Sequence, residues 1–236
     1  MALTGKAFLG IWHDVEPAFW DEYMEWHTRE HMPERLSVPG FTIGKRMINH
    51  DVPRYRYGSV YAGESVETFR SPAYLERLNN PSDWTNKVQP NFRNFLRVAC
   101  DRIASAGVGD GGAMATIRLD FADGSGADQV KAGAQALADA LLKVTGACCV
   151  NIGLARTDVS GVKTRETELR PGKTEKEFDV VVLIEGSGAP ELEASLPAFQ
   201  AVVAESGIGV TDPQTIVYNL SYQLTSADMA AAGGAQ

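Results

Sequence analysis

The run Ala7-Phe8-Leu9-Gly10-Ile11-Trp12-His13-Asp14, then Glu16-Pro17, then Trp20 through Met32, is the stretch from which the rest of the chain can be read. The first eight residues are apolar enough for a buried strand. Pro17 suits the first turn of a helix, where its missing N–H would have had no partner, and Asp21, Glu22 and Glu25 favour the positive end of the helix dipole. The spacing predicts a helix to about Met32, ended or kinked where Pro33 biases its predecessor away from helical geometry. Working outward, Val38-Pro39-Gly40 reads as a turn, and Phe41 to Asn49 and Tyr55 to Tyr61 read as strands joined by a short link. Ser65 to about Leu78 reads as a second helix, and Phe92 to Cys100 as a fourth strand.

The second half repeats that order with few letters in common. Ala113 to Phe121, Ala147 to Ala155, Phe178 to Glu185 and Thr215 to Leu224 read as strands, with helices over Ala127 to Val144 and Pro190 to Glu205. The order is βαββαβ, twice. In one such unit an antiparallel sheet carries both helices on one face and leaves the other bare, so it needs a partner. The expected fold is therefore α+β: two tandem ferredoxin-like repeats, residues 1–105 and 113–225, whose sheets pair into an intrachain pseudo-dimeric α+β barrel with the helices outside. A Gly-rich linker at 106–112, a long polar loop from Asp158 to Glu177 and a frayed tail at 226–236 complete the reading.

Composition bounds the function. With 44% hydrophobic and 22% charged residues in 236, disorder and coiled coil are excluded. No apolar run reaches the roughly 18 to 20 residues of a membrane span, and the N-terminus lacks the pattern of an export signal. Cys100, Cys148 and Cys149 form no Cys-x-x-Cys pair, as in a reducing compartment, so a cytoplasmic location is expected. Residues 1–106 hold 13 basic and 13 acidic side chains, which leaves 9 against 17 in the remainder, and neither half looks like a nucleic-acid surface. His13, His27, His31 and His50 all lie in the first half, which is where chemistry is expected.

Trp20, Met24, His27 and His31 are spaced by four, three and four, which puts both imidazoles on one helical stripe. Two imidazoles over a cleft can move a proton, although core histidines or helix caps show the same spacing. Tyr55, Tyr57, Ser59 and Tyr61 share one strand face by period two and could seat a ring or polarise a carbonyl; an aromatic strand that simply favours the sheet is the structural alternative. Trp12 would line the pocket beside them, and Arg46 could hold a carboxylate or form a surface pair. His27-Thr28-Arg29-Glu30-His31 matches a zinc motif in letters, but Pro33 cuts the helix directly after it, and no metal is expected. No phosphate loop or Gly-x-Ser-x-Gly elbow is present.

The stretch Trp26-His27-Thr28-Arg29-Glu30-His31-Met32-Pro33-Glu34-Arg35-Leu36, with Val38-Pro39-Gly40-Phe41 and Lys45-Arg46, resembles the dimeric α+β barrel superfamily, EthD-like proteins in particular. The local likeness covers about residues 8 to 62; beyond it, only the topology matches. Such proteins include cyclases, isomerases, monooxygenases and haem-degrading enzymes, so the resemblance implies a small-molecule cleft between a sheet and its helices without choosing a reaction. The expected protein is a cofactor-independent enzyme acting on a hydrophobic oxygenated compound by isomerase, cyclase, lyase or hydrolase chemistry. His27 or His31 would be the acid or base and Tyr57 the polarising phenol, in a pocket of Trp12, Trp20, Met24, Tyr55, Tyr61 and Arg46. The alternatives are a haem-binding or monooxygenase-type protein with His27 or His31 as axial ligand, and a non-catalytic binding or stress-associated protein. The tandem chain is expected as a pseudo-dimeric monomer or as a homodimer of such chains.

Overall fold

Eight antiparallel strands close on themselves in a computed structural model that describes residues 3–171 and 178–233. They are β1 (Ala7–Val15), β2 (Phe41–Ile48), β3 (Tyr57–Gly63), β4 (Phe92–Gly107), β5 (Ala113–Phe121), β6 (Ala147–Ala155), β7 (Val180–Gly186) and β8 (Val210–Thr225). Around the barrel the order is β1-β3-β2-β8-β5-β7-β6-β4, so each half contributes its strands in the order fourth, first, third, second. The halves meet at two seams. β2 pairs with β8 from Ile43↔Thr225 to Ile48↔Asn219, and β4 pairs with β6 from Cys100↔Ala155 to Gly107↔Cys149. The expected α+β barrel of tandem repeats is the observed fold, and closure leaves no open strand edge.

The helices lie outside. They are α1 (Trp20–Trp26), a π-helical turn (His27–His31) and α2 (Met32–Leu36), then α3 (Pro72–Asn79) and α4 (Asp83–Val88) in the first half. The second half holds α5 (Ala127–Leu142), α6 (Thr157–Ser160), α7 (Arg165–Glu168), α8 (Ala189–Glu205) and α9 (Ser226–Gly233). Three expectations change. The first helix does not stop at Pro33 but runs on to Leu36 through the widened turn. β4 continues to Gly107, into what reads as linker. The tail folds from Ser226 as α9, where Asp228 accepts hydrogen bonds from the backbone and hydroxyl of Thr225 and Met229 packs on the outer core; residues 234–236 of the tail, and 172–177 of the long loop, lie outside the described residues.

Strand alternation sorts the side chains into two buried layers. Phe8, Trp12, Ile43, Met47, Val60, Val98, Leu183 and Tyr218 fill the barrel interior. Gly10 is required there, because a Cβ would stand 2.6 Å from the Trp12 indole; the gap it leaves is filled by Trp12 rather than open to a ligand. Lys45 and Glu185 take inward positions of β2 and β7, and Lys45 Nζ donates to Glu185 Oε2 and to Asp110 Oδ1, each at 2.7 Å. With the Gly111 N–H also donating to Glu185 at 3.1 Å, this pair ties both halves and the link between them.

A buried ion pair costs most when one partner is removed. Lys45→Met is expected to lose about 3–5 kcal/mol in urea unfolding, and Lys45→Met with Glu185→Leu to recover most of it. An equal loss in the double variant would show that the pair itself, not the orphaned carboxylate, carries the stability.

Candidate active site

The first half has a cleft between its outward sheet face and its helices. Leu9, Ile11 and His13 of β1 and Ser59 and Tyr61 of β3 form the floor, with Phe95 and Arg97 of β4. Tyr23, Trp26, His27, His31 and Arg35 form the roof. Gln89 closes one end, and Glu166 and Arg170, from the long loop of the second half, close over it.

The roof owes its shape to Pro33. A proline inside a helix lacks an N–H and its ring presses on the carbonyl four residues back, and one wide turn relieves both problems. Here the Met32 N–H reaches the His27 carbonyl, five residues back. The turn puts His27 and His31 on the buried face with ring centroids 5.5 Å apart, and Trp26 4.3 Å from His31. Arg35 follows at the same spacing of four.

The candidate residues separate accordingly. His27, His31 and Tyr61 line the cleft. Tyr57 lies beside it, packed on Tyr23 at 4.7 Å and stacked near His13 at 5.7 Å, and is not in its wall. Trp20 sits outside, donating from Nε1 to the Val15 carbonyl and packing on His50; Met24 also stays out of the wall. Arg46 braces the roof from behind: its Nη1 donates to Thr28 Oγ1 at 2.8 Å and to the Met24 carbonyl at 3.2 Å. Trp12 and Tyr55 lie inside the barrel around Arg118, not in the cleft. Tyr55 breaks the expected period because its φ is +60°, a turn held by Asp14, which accepts from the backbone N–H of Tyr55 and Arg56 and from Asn94. Asp14 is thus committed to this turn while His13 points the other way.

The cleft disfavours charge on its imidazoles. Burial, reinforced by the charges of Arg46 and Arg35, pushes His27 well below the usual histidine range, and burial with Arg35 does the same to His31. Burial pushes His13 down to about 3, against a small opposing pull from Asp14. Burial also holds the Tyr61 phenol well above its ordinary value, so it stays protonated. Tyr61 Oη and His27 Nε2 lie 3.0 Å apart, with Ser59 Oγ at 3.5 Å from the same nitrogen. Among the described residues, His27 Nδ1, His31 Nδ1 and both nitrogens of His13 are buried without a protein hydrogen-bond partner.

Glu166 is the carboxylate in the wall. Its Oε1 accepts from Arg35 Nη2 at 2.8 Å and from Gln89 Nε2 at 3.1 Å, and it lies 4.0 Å from His31 Nδ1. Arg170 donates to Gln89 Oε1 at 2.7 Å, with its guanidinium 3.8 Å from the Phe95 ring centroid. Burial pulls Arg170 down to about 10, partly offset by Glu166, so it keeps its charge at neutral pH. Arg35 could have been found by extending the histidine stripe one turn. Nothing local in the sequence marks Glu166 or Arg170 as cleft residues.

The cleft encloses about 470 Å³ outside the atoms, part of it open to solvent. His27 Nε2 is engaged by Tyr61 at 3.0 Å, so His27 could ligate a haem iron only by giving up that contact. Glu30, the acidic letter of the apparent zinc motif, instead accepts hydrogen bonds from Ser82 and Thr85, and no cluster of three or more metal-ligating side chains occurs among the described residues. No described helix is long and apolar enough to cross a membrane.

No protein-family model and no curated protein sequence matches the chain. Solved structures do. An anthrone oxidase-like protein superposes with a TM-score of 0.65 at 10% identity, over 94% of each chain. A Fusobacterium nucleatum protein provisionally assigned as a monooxygenase gives 0.56 at 11% identity, over 94% of this chain and 95% of the other. A chlorite dismutase from Candidatus Nitrospira defluvii, solved with cyanide, gives 0.57 at 8% identity, over 97% and 96%. The fold is that of the dimeric α+β barrel proteins, here with both barrel halves in one chain. Identities this low establish the fold and leave the activity to the site.

The neutral histidines set the acid stability. Below about pH 6.5 the unfolded chain takes up protons that the buried rings refuse, so stability falls on acidification by about 1.4 kcal/mol per pH unit for each such imidazole. Urea unfolding between pH 7 and 5 is expected to show that slope, and His13→Phe to flatten it by one proton. A flat profile would show that these rings charge inside the fold.

Proposed function

We propose that the first-half cleft is the active site of a cofactor-independent enzyme that removes a proton from a hydrophobic, oxygenated small molecule, with His27 as general base. The observation that carries this reading is the His27 ring: neutral, buried, Nε2 at 3.0 Å from Tyr61 Oη, Nδ1 without a partner. With Nε2–H donated to Tyr61 Oη, Nδ1 has a free lone pair for the substrate's acidic C–H or O–H. Tyr61, rather than Tyr57, is the phenol in position to hold the base in that orientation. Arg35 and Arg170 offer positive charge to the anion that forms, in a cleft walled mostly by buried side chains. Return of the proton at another carbon gives isomerisation, and attack of the carbanion on a carbonyl gives cyclisation.

The likeness to an anthrone oxidase-like protein favours a second outcome for the same first step. The carbanion of an anthrone-type aromatic ketone can reduce dissolved O2, one oxygen atom becoming the new ring carbonyl and the other leaving as water with the two methylene hydrogens, with no bound cofactor.

Anthrone in D2O separates the readings. Without oxygen, the protein is expected to speed deuterium exchange at the acidic methylene, seen by proton NMR. His27→Ala should lower that rate by about 100-fold or more, and Tyr61→Phe by a smaller factor, with circular dichroism unchanged. Oxygen uptake on admitting air would select the oxygenase outcome. Absence of exchange with anthrone and with other enolisable aromatic ketones would leave the cleft a binding site only. Titration with hemin is expected to produce no protein-dependent Soret shift, and a stoichiometric one would overturn the cofactor-free reading.

A further inference from the structure

Among the described residues, cations outnumber carboxylates in the cleft wall. Arg35, Arg97 and Arg170 face Glu166, and Glu34, which pairs with Arg35 at 2.8 Å, stands outside the wall. Arg35 is therefore matched twice and Arg170 lies 3.7 Å from Glu166, but Arg97 has no carboxylate within 4 Å among the described residues. Its Nη1 donates to the Ser160 carbonyl at 3.1 Å, and its guanidinium lies 6.0 Å from the Tyr74 ring centroid. Guanidinium groups turned toward apolar walls are costly unless a counter-charge reaches them.

Arg97 and Arg170 also line a second, smaller pocket of about 280 Å³ outside the atoms, part of it open to solvent, bounded by Phe69, Leu75, Leu78 and Val162. The two guanidiniums thus form the partition between that outer pocket and the cleft that holds His27. Val162 is 37% exposed, which puts the outer pocket next to solvent.

We propose that the ligand of this cleft is an anion: a planar aromatic body seated against Trp26, Phe92 and His27, with a carboxylate or equivalent oxyanion held at the partition by Arg97 and Arg170. The inference rests on the proposed function only in placing the ligand in the same cleft, and it adds the charge that this ligand carries. Arginine presents its donors in a planar fork that matches a carboxylate, and Arg170 already uses one edge of its fork on Gln89. The unpartnered nitrogens of His13 and His31 offer one donor or acceptor position each to the ligand's neutral oxygens, while His27 Nδ1 stays the base.

Calorimetric titration at pH 7.5 with 3-hydroxy-2-naphthoate and with its methyl ester tests this on the full chain. The acid is expected to bind about tenfold or more tighter than the ester, and Arg97→Met to bring the two within about twofold, while Arg97→Lys keeps most of the preference. Equal or tighter binding of the ester, no binding of either compound, or a preference that survives in Arg97→Met would each overturn the proposal. Should Arg97→Met fail to fold, the wild-type ratio and Arg97→Lys still decide, because an Arg97 that only ties the loop at Ser160 predicts no charge preference in either. Acid preference without deuterium exchange on anthrone would sustain this inference against the catalytic one, and exchange without acid preference would do the reverse.

Discussion

Each half of this chain makes a four-stranded sheet with helices on one face only, and burying the two bare faces against each other is the constraint on which everything else depends. Phe8, Trp12, Met47 and Tyr218 would otherwise face water. Pairing at the β2–β8 and β4–β6 seams solves this without a second molecule. It also determines where the second half's long loop emerges. β6 ends at Ala155, opposite Cys100 of β4; the Arg156 N–H then bonds the Ala99 carbonyl, and Ser160 Oγ accepts from the Ala99 N–H. β4 is the strand that carries Phe95 and Arg97 into the first cleft, so the loop is delivered to that cleft's rim, with Glu166 and Arg170 over the opening.

The two halves use their helix-to-sheet layers differently. In the second, Ala134 and Ala138 of α5 let the helix lie close to Ile117, Ile152 and Val182, and the layer is a solid apolar core. In the first, the π turn at His27–His31 carries rings and polar groups into the same layer. That layer therefore holds imidazoles whose burial disfavours their charged form, with ring nitrogens that have no protein partner among the described residues. The solid apolar core of the second half has no such imidazoles in the corresponding layer.

The strands were legible because alternation and β-branched runs are local signals; Ala113–Phe121 and Ala147–Ala155 appear with the boundaries the sequence suggests. The pairing of His27 with His31 was legible from spacing alone, and Arg35 was available by the same rule. The face of β1 was not. In a closed barrel covered by helices both faces are buried, so alternation separates Phe8 and Trp12 from Leu9, Ile11 and His13 without saying which set meets the helices. Trp12 was assigned to the cleft for that reason and belongs to the barrel interior, as does Tyr55, which its positive φ takes out of the strand's alternation. Pro33 was read as an end or a kink because its local effect is to break a helix; that the chain continues through a π turn goes with packing of α2 against β2 at Gly44, where Met32 and Leu36 approach to 3.1 Å of a Cβ position.

By itself, then, the sequence determined the order of elements, the need for two sheets to cover one another, and the concentration of imidazoles and indoles in the first half. These follow from short-range periodicity and composition, which act within a few residues. Only the tertiary structure decided which ring faces the cleft, that Tyr61 rather than Tyr57 meets His27, and that Arg35 and Gln89 of the first half hold Glu166 of the second across 131 and 77 residues. Contacts at such separations are set by strand register at the seams and by charge pairing after closure, and no local pattern encodes them.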